Sequence, residues 1–195
     1  MSKTDIIKLR KSMKKVQDTK RYEHTLGVAF TAASLAMRYE EDILNAQIAG
    51  LLHDCAKCLK EEKILNICEK KHLLISDVER RNPSLLHAKA GAVFAKEKYD
   101  IDDEDILNAI YYHTTGRPGM SRLEKIIFIA DYMEPGRKSA PNLALIRKMA
   151  FEDLDSTLCK ILQDTLIYLR ESDDEIDPAT ENTWKYYSGY MLEKE

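Results

Sequence analysis

Glycine and proline are scarce in this chain, with seven and five among 195 residues. Alternating apolar and polar runs are scarce too, so little supports strands or the turns between them. No apolar stretch approaches the ~20 residues needed to span a bilayer, which excludes a membrane partner of that kind. The N-terminus, Met1-Ser2-Lys3-Thr4-Asp5, is polar and lacks a signal peptide's apolar segment, so a cytoplasmic protein is expected. An excess of one charge is also missing. The formal net charge of −3 leaves no broad cationic surface, so nucleic acid is not an expected partner and any phosphate-binding charge must be local. Cysteines number four (Cys55, Cys58, Cys68, Cys159), and the C-x-x-C of Cys55 and Cys58 has neither a second pair nor a βαβ context. These read as small, partly buried thiols rather than a zinc or redox site.

Helical spacing fills the space that those absences leave. A first helix is expected over Thr4–Asp18, with Ile6, Ile7, Leu9, Met13 and Val16 on its apolar side. A second, over Arg21–Tyr39, carries His24, Val28, Ala32, Leu35 and Ala36 at three- and four-residue spacings. A third, Glu41–Leu52, ends on His53-Asp54. Asn82-Pro83 reads as a helix start, because proline suits the first turn; the helix Ser84–Tyr99 then presents His87 one turn in. Asp102–Tyr112 leads to His113 and the turn-rich Thr114-Thr115-Gly116-Arg117-Pro118-Gly119. Ser121 and Glu124 match a capping box ahead of the helix holding Lys125 and Asp131, and Glu134-Pro135-Gly136-Arg137 breaks it. Helices over Asn142–Arg170 follow, then a tail with Trp184, Tyr186, Tyr187 and Tyr190, able to cover the domain's own core or a homodimer interface. Without a repeat or an internal boundary, the expectation is one all-α domain over residues 1–195.

Four of the five histidines line up with two aspartates in the order His24, His53-Asp54, His87, His113, Asp131. Imidazole suits zinc, iron, copper and nickel, and carboxylate extends the range towards manganese and magnesium. Asp54 has two oxygens, so it can bridge two cations about 3.5–4 Å apart, a pair that activates water and clamps an in-line displacement at phosphorus. The ligands come from several helices, so their strength lies in accumulation rather than in spacing. His72, in Lys70-Lys71-His72-Leu73, has no such company and reads as a surface residue.

The order H…HD…D resembles the HD-domain metal-dependent phosphohydrolase superfamily. The stretches Arg21-Tyr22-Glu23-His24-Thr25-Leu26-Gly27-Val28, Ala49-Gly50-Leu51-Leu52-His53-Asp54-Cys55-Ala56-Lys57, His113-Thr114-Thr115-Gly116 and Ile129-Ala130-Asp131-Tyr132-Met133-Glu134-Pro135-Gly136-Arg137 are similar to one branch of it, the YqeK-type symmetrical bis(5′-nucleosyl)-tetraphosphatases of bacteria. The likeness runs from about Met13 to Thr180. It implies an HD-domain helical bundle around a metal site, with two divalent metal ions, iron first and manganese, zinc or magnesium as alternatives. It implies symmetrical cleavage of diadenosine tetraphosphate to two ADP. His24, His53, Asp54 and Asp131 would hold one metal, and Asp54, His87 and His113 the other, with His87 also beside the substrate. Cys55 departs from the pattern, where an aromatic residue is frequent.

Positive charge near such metals would serve a polyphosphate. Lys57 lies one turn beyond His53-Asp54 and Arg21 one turn before His24, while Arg137 sits on a Pro-Gly turn suited to bidentate phosphate contact. Thr114, Thr115 and Gly116 offer hydroxyls and an unhindered amide directly after His113. Asp54, Lys57 and Arg137 are the expected catalytic residues, and a dinucleoside polyphosphate or a nucleoside diphosphate is the expected ligand. On residues alone, other readings stay open. One is a phosphohydrolase acting on guanosine tetraphosphate, a deoxynucleotide or a cyclic dinucleotide. Others are a nucleotide-binding regulatory module without turnover, or a di-iron oxygenase.

Overall fold

The computed structural model describes the backbone of residues 3–192 and the side chains of residues 6–189. Tyr190 and the first five side chains therefore lie outside the described residues. The elements are α1 (Lys3–Val16), α2 (Thr19–Tyr39), α3 (Ile43–Leu52), α4 (Glu61–Lys70), α5 (Asp77–Arg81), a 3-10 turn (Pro83–Leu86), α6 (His87–Tyr99), α7 (Glu104–Tyr111), α8 (Arg122–Met133), α9 (Leu143–Met149), α10 (Leu154–Glu171) and α11 (Pro178–Leu192). No strand occurs among the described residues, and the all-α expectation holds.

Side-chain caps set most of the starts. Asp18, Asp42 and Asp103 accept from the amides of Arg21, Asn45 and Ile106, and so satisfy donors that a helix leaves free. The Ser121/Glu124 capping box forms with both of its bonds, and a second, Ser76/Glu79, opens α5. Several boundaries differ from expectation. Pro83 starts a 3-10 turn rather than an α-helix, so His87 opens α6 instead of sitting a turn inside it. The helices expected over 142–170 are α9 and α10, and they part where Glu152 and Asp153 donate back to the Met149 carbonyl and Asp153 caps the next helix. Helices α4 and α5 were not anticipated. Both are short, and α4 is held by Ile64 and Cys68 packing with Ala56, Leu86 and Ala90 in a small cluster beside the main core. Among the described side chains of α1, only Leu9 and Met13 are buried; Ile7 and Val16 are exposed.

The main core joins α2, α3, α7, α8 and α10 through Val28, Leu35, Leu51, Leu52, Ile110, Ile126, Ile127 and Leu158. Gly50 lets α3 lie directly on α2: a Cβ there would stand 2.7 Å from the Ala29 Cα. That close approach sets the end of α3, and hence His53, against His24 in the second turn of α2. The tail closes over the same core, with Tyr187 buried and Trp184 packed against it, and the Tyr187 hydroxyl accepts from the Met120 amide at 2.9 Å. Among the described residues, no helix is long and apolar enough to cross a membrane.

Candidate metal centre

Each of the four aligned histidines has one ring nitrogen anchored and the other turned inward. The Nδ1 atoms of His53, His87 and His113 each lie 2.7 Å from a carbonyl three residues earlier, those of Gly50, Ser84 and Ile110. A carbonyl only accepts, so the ring proton sits on Nδ1 and Nε2 presents its lone pair to the centre. The rings run in sequence, His24 to His53 at 5.3 Å, His53 to His113 at 5.0 Å and His113 to His87 at 5.2 Å between centroids.

The two aspartates divide these nitrogens. Asp54, nearly fully buried at 3% exposure, turns Oδ1 towards Nε2 of His87 (3.3 Å) and His113 (3.9 Å). Its Oδ2 faces Nε2 of His53 (3.4 Å) and His24 (3.8 Å). Asp131 Oδ1 approaches the same two rings, at 3.0 Å from His24 and 4.0 Å from His53. Ligand atoms of His24, His53 and Asp131 all lie within 4.8 Å of one another, and so do those of His53, Asp54 and His113. One carboxylate thus faces two groups of donors through different oxygens, which is the geometry of a bridge.

This donor set fits divalent cations. The buried Nε2 atoms of His24 and His53 have no hydrogen-bond partner, and lone pairs that face carboxylate oxygens so closely need positive charge between them. Protonation states agree. Burial, joined by His53 and His87, pushes His113 down to about 3 and keeps it neutral. Asp54 resists burial because His53, His87 and His113 stabilise its anion, and its pKa falls well below the ordinary value. Asp131 is lowered likewise against burial, chiefly through His24 and His53. Burial opposes charge on His53, yet Asp54 and Asp131 raise its pKa, so positive charge is favoured at that ring. Anionic Asp54 and Asp131, a neutral His113 and a pull for positive charge at His53, whose proton a cation would replace, together suit metal binding.

Three basic residues border the carboxylates. Arg21 Nη1 lies 2.5 Å from Asp54 Oδ2, and Arg137 donates to Asp131 Oδ1 (2.9 Å) and to the Asp131 carbonyl (3.0 Å). Lys57, in the turn after α3, stands 3.2 Å from His87 Nδ1. Burial lowers its pKa, Arg21 and Arg137 add to that, and Asp54 and Asp131 oppose it, so all three cations share one neighbourhood. The H-T-T-G loop differs from expectation. Gly116 donates its amide to the Tyr112 carbonyl at 2.9 Å, so the amide is not free. Its φ of +63° and its packing on Thr183 explain the glycine instead, and the Thr115 hydroxyl donates to the Gly116 carbonyl. His72 is exposed at the end of α4, away from the cluster. Cys55 is buried, with its thiol directed at the Gly91 carbonyl and its pKa pushed up to about 12 by burial, and is no thiolate ligand.

Sequence reasoning missed two residues here. Glu134 is buried with Oε1 3.2 Å from His24 Nδ1, and Arg147 donates to the carbonyls of Met133, Glu134 and Arg137. In the sequence Glu134 stands in the helix break and in the family-like stretch Ile129–Arg137 with no role attached, and its place between Gly27 and Gly136 is something no local pattern reveals.

An α-helical bundle that gathers two bridged groups of imidazole and carboxylate donors defines a metal-dependent hydrolase of the HD type. The chain belongs to the HD domain family, which matches residues 21–136. Its relatives narrow this further. A symmetrical bis(5′-nucleosyl)-tetraphosphatase of Bacillus subtilis is 39% identical over 85% of this chain and 88% of its own length. Its namesake in Staphylococcus aureus is 38% identical over 94% of this chain and 95% of its own length. A crystal structure from Clostridium acetobutylicum, of a predicted HD superfamily hydrolase involved in NAD metabolism, shares 44% identity with a TM-score of 0.91, covering 97% of this chain and 99% of that one.

Proposed function

We propose that this protein hydrolyses diadenosine 5′,5‴-tetraphosphate symmetrically to two ADP, with two divalent cations, iron before manganese, zinc or magnesium. The observation that carries the reading is Asp54, which faces His24 and His53 with one oxygen and His87 and His113 with the other. Its support from kinship is that relatives spanning nearly the whole chain are named for this activity. His24, His53, Asp54 and Asp131 would hold one cation, and Asp54, His87 and His113 the other. When bound, such cations supply Lewis acidity at phosphorus and lower the pKa of an attacking water.

The chain's own residues do the rest. Asp54 presents one oxygen to each pair of imidazoles and would thereby serve both cations. Lys57 offers an ammonium beside His87, where a phosphate oxygen gains charge in the transition state. Arg21 and Arg137 bring guanidinium forks to the same carboxylates and bind the flanking phosphates. Thr114 and Thr115 line the loop after His113 and hold the departing half. Water attacks the phosphorus of the second or third phosphate, its oxygen forming a new P–O bond as the anhydride P–O bond between those two phosphates breaks; the water's protons pass to solvent, and two nucleoside diphosphates leave. Neither half needs a base-specific contact for this chemistry, so diguanosine tetraphosphate is cleaved as well.

The test is anaerobic purification, metal analysis, and turnover of diadenosine tetraphosphate in heavy-oxygen water. ADP alone is expected, with one labelled oxygen per event; ATP with AMP overturns the reading. Asp54→Ala abolishes turnover and leaves the helical circular dichroism intact.

A further inference from the structure

Among the four inward-turned histidines, His24 is held differently. The others anchor Nδ1 on a carbonyl at the loose end of their own segment. His24 lies inside α2, in its second turn, where carbonyls are already spent on helix bonds, and its Nδ1 meets Glu134 Oε1, 110 residues away in sequence, at 3.2 Å. Glu134 is a buried carboxylate, and among the described residues its ion-pair contact is with His24 alone. A charge so placed is costly unless its oxygens are satisfied. Both are: Oε1 by His24, Oε2 by the Gly136 amide at 2.5 Å.

The surroundings are shaped around this carboxylate. A Cβ on Gly27, in α2, would stand 2.4 Å from Glu134 Oε2, and one on Gly136 would stand 2.9 Å from the same atom. Arg147, from α9, fixes the backbone that carries it by donating to the carbonyls of Met133 (3.0 Å) and Glu134 (2.9 Å). A carboxylate has no proton to give, so the hydrogen of this contact belongs to His24 Nδ1. The Nε2 lone pair is thereby aimed at Asp131 Oδ1, 3.0 Å away, on the side where a cation would sit.

We infer that Glu134 is a positioning residue that orients His24 and so sets the affinity of one metal of the pair, an inference that rests on the two-metal reading above. The Glu-Pro-Gly-Arg turn then has two tasks: Glu134 holds His24, and Arg137 holds Asp131 and the phosphate. An amide has one acceptor oxygen where the carboxylate uses two, so Glu134→Gln keeps the shape but fails one of the two donors. Outer partners of ligand histidines are worth roughly ten- to a hundred-fold in metal affinity.

The experiment is titration of metal-free protein with zinc(II), read by calorimetry, with the His24 ring followed by nitrogen NMR. Native protein is expected to bind two ions. Glu134→Gln is expected to bind one as the native does and the other about ten- to a hundred-fold more weakly, with the His24 Nδ1–H signal moved. Gly27→Ala, which keeps Glu134 but pushes its carboxylate aside, is the second variant and gives the same selective loss. Two native-strength sites in both variants overturn the role of Glu134 alone. Fewer than two sites in the native protein overturn the two-metal reading, and this inference with it.

Discussion

Replacing Gly50 by alanine tests how the metal centre is held together. The new Cβ would lie 2.7 Å from the Ala29 Cα and 3.1 Å from the Ala29 nitrogen. These are backbone atoms of α2 and cannot swing away. Carbon pairs rest at about 3.5–4.0 Å, so α2 and α3 must part by about 1 Å. Overpacking of this kind costs about 1–3 kcal/mol, while alanine gains about 1 kcal/mol in helix propensity over glycine. Gly189→Ala, in α11, separates the two effects, because nothing lies within 4 Å of its added Cβ and only the propensity gain remains. The two variants should therefore differ by about 1–3 kcal/mol, or about 2–12 °C in Tm for a chain of this size. Function should suffer in parallel. The Gly50 carbonyl anchors His53 Nδ1 at 2.7 Å, and parting the helices carries His53 away from His24. A misplacement of about 1 Å costs about a hundred-fold in rate. Thermal unfolding of both metal-free proteins, with turnover of the loaded ones, decides the matter. Equal melting temperatures and native turnover in Gly50→Ala would refute the reasoning.

Lys57→Ala and Arg137→Ala, each assayed with metal at saturating concentration, should each lower kcat/KM about ten- to a hundred-fold, the worth of a charge-assisted hydrogen bond. Unchanged efficiency in both would make them ordinary surface cations. Acid should destabilise the metal-free protein. The His113 pKa falls from 6.5 to about 3 on folding, so below about pH 6.5 the unfolded chain takes up a proton that the folded one refuses. Asp54 and Asp131, also depressed, extend the loss as the pH falls further, while His53, raised on folding, is protonated in both states there and leaves the slope unchanged. The urea midpoint should fall from about pH 6 to about pH 4, and a flat or rising midpoint would contradict this assignment.

Local chemistry made much of the chain legible without a structure. The Ser121/Glu124 pair marks a helix start because a short side chain reaches an amide three residues on, a relation written in spacing alone. Asp18, expected to end the first helix, and Asp42, expected inside the third, instead cap the starts of α2 and α3. That four histidines and two aspartates gather in one place was legible because six such residues have no cheap alternative in a helical core. Other features depend on where helices cross. Helix α4 takes its place from Ile64 and Cys68 meeting Leu86 and Ala90, residues about twenty positions away. The break at 150–153 follows from Met149 carbonyl bonds that no periodicity announces. Gly50 and Gly27 look like ordinary weak points of a helix until Ala29 and Glu134 are seen against them. The sequence by itself therefore determined the helical character and the kinds of ligand present. Only the tertiary structure decided which oxygen of Asp54 faces which pair of rings, and that Glu134 reaches His24 across 110 residues, because those pairings depend on the packing of distant helices and on no spacing within any one of them.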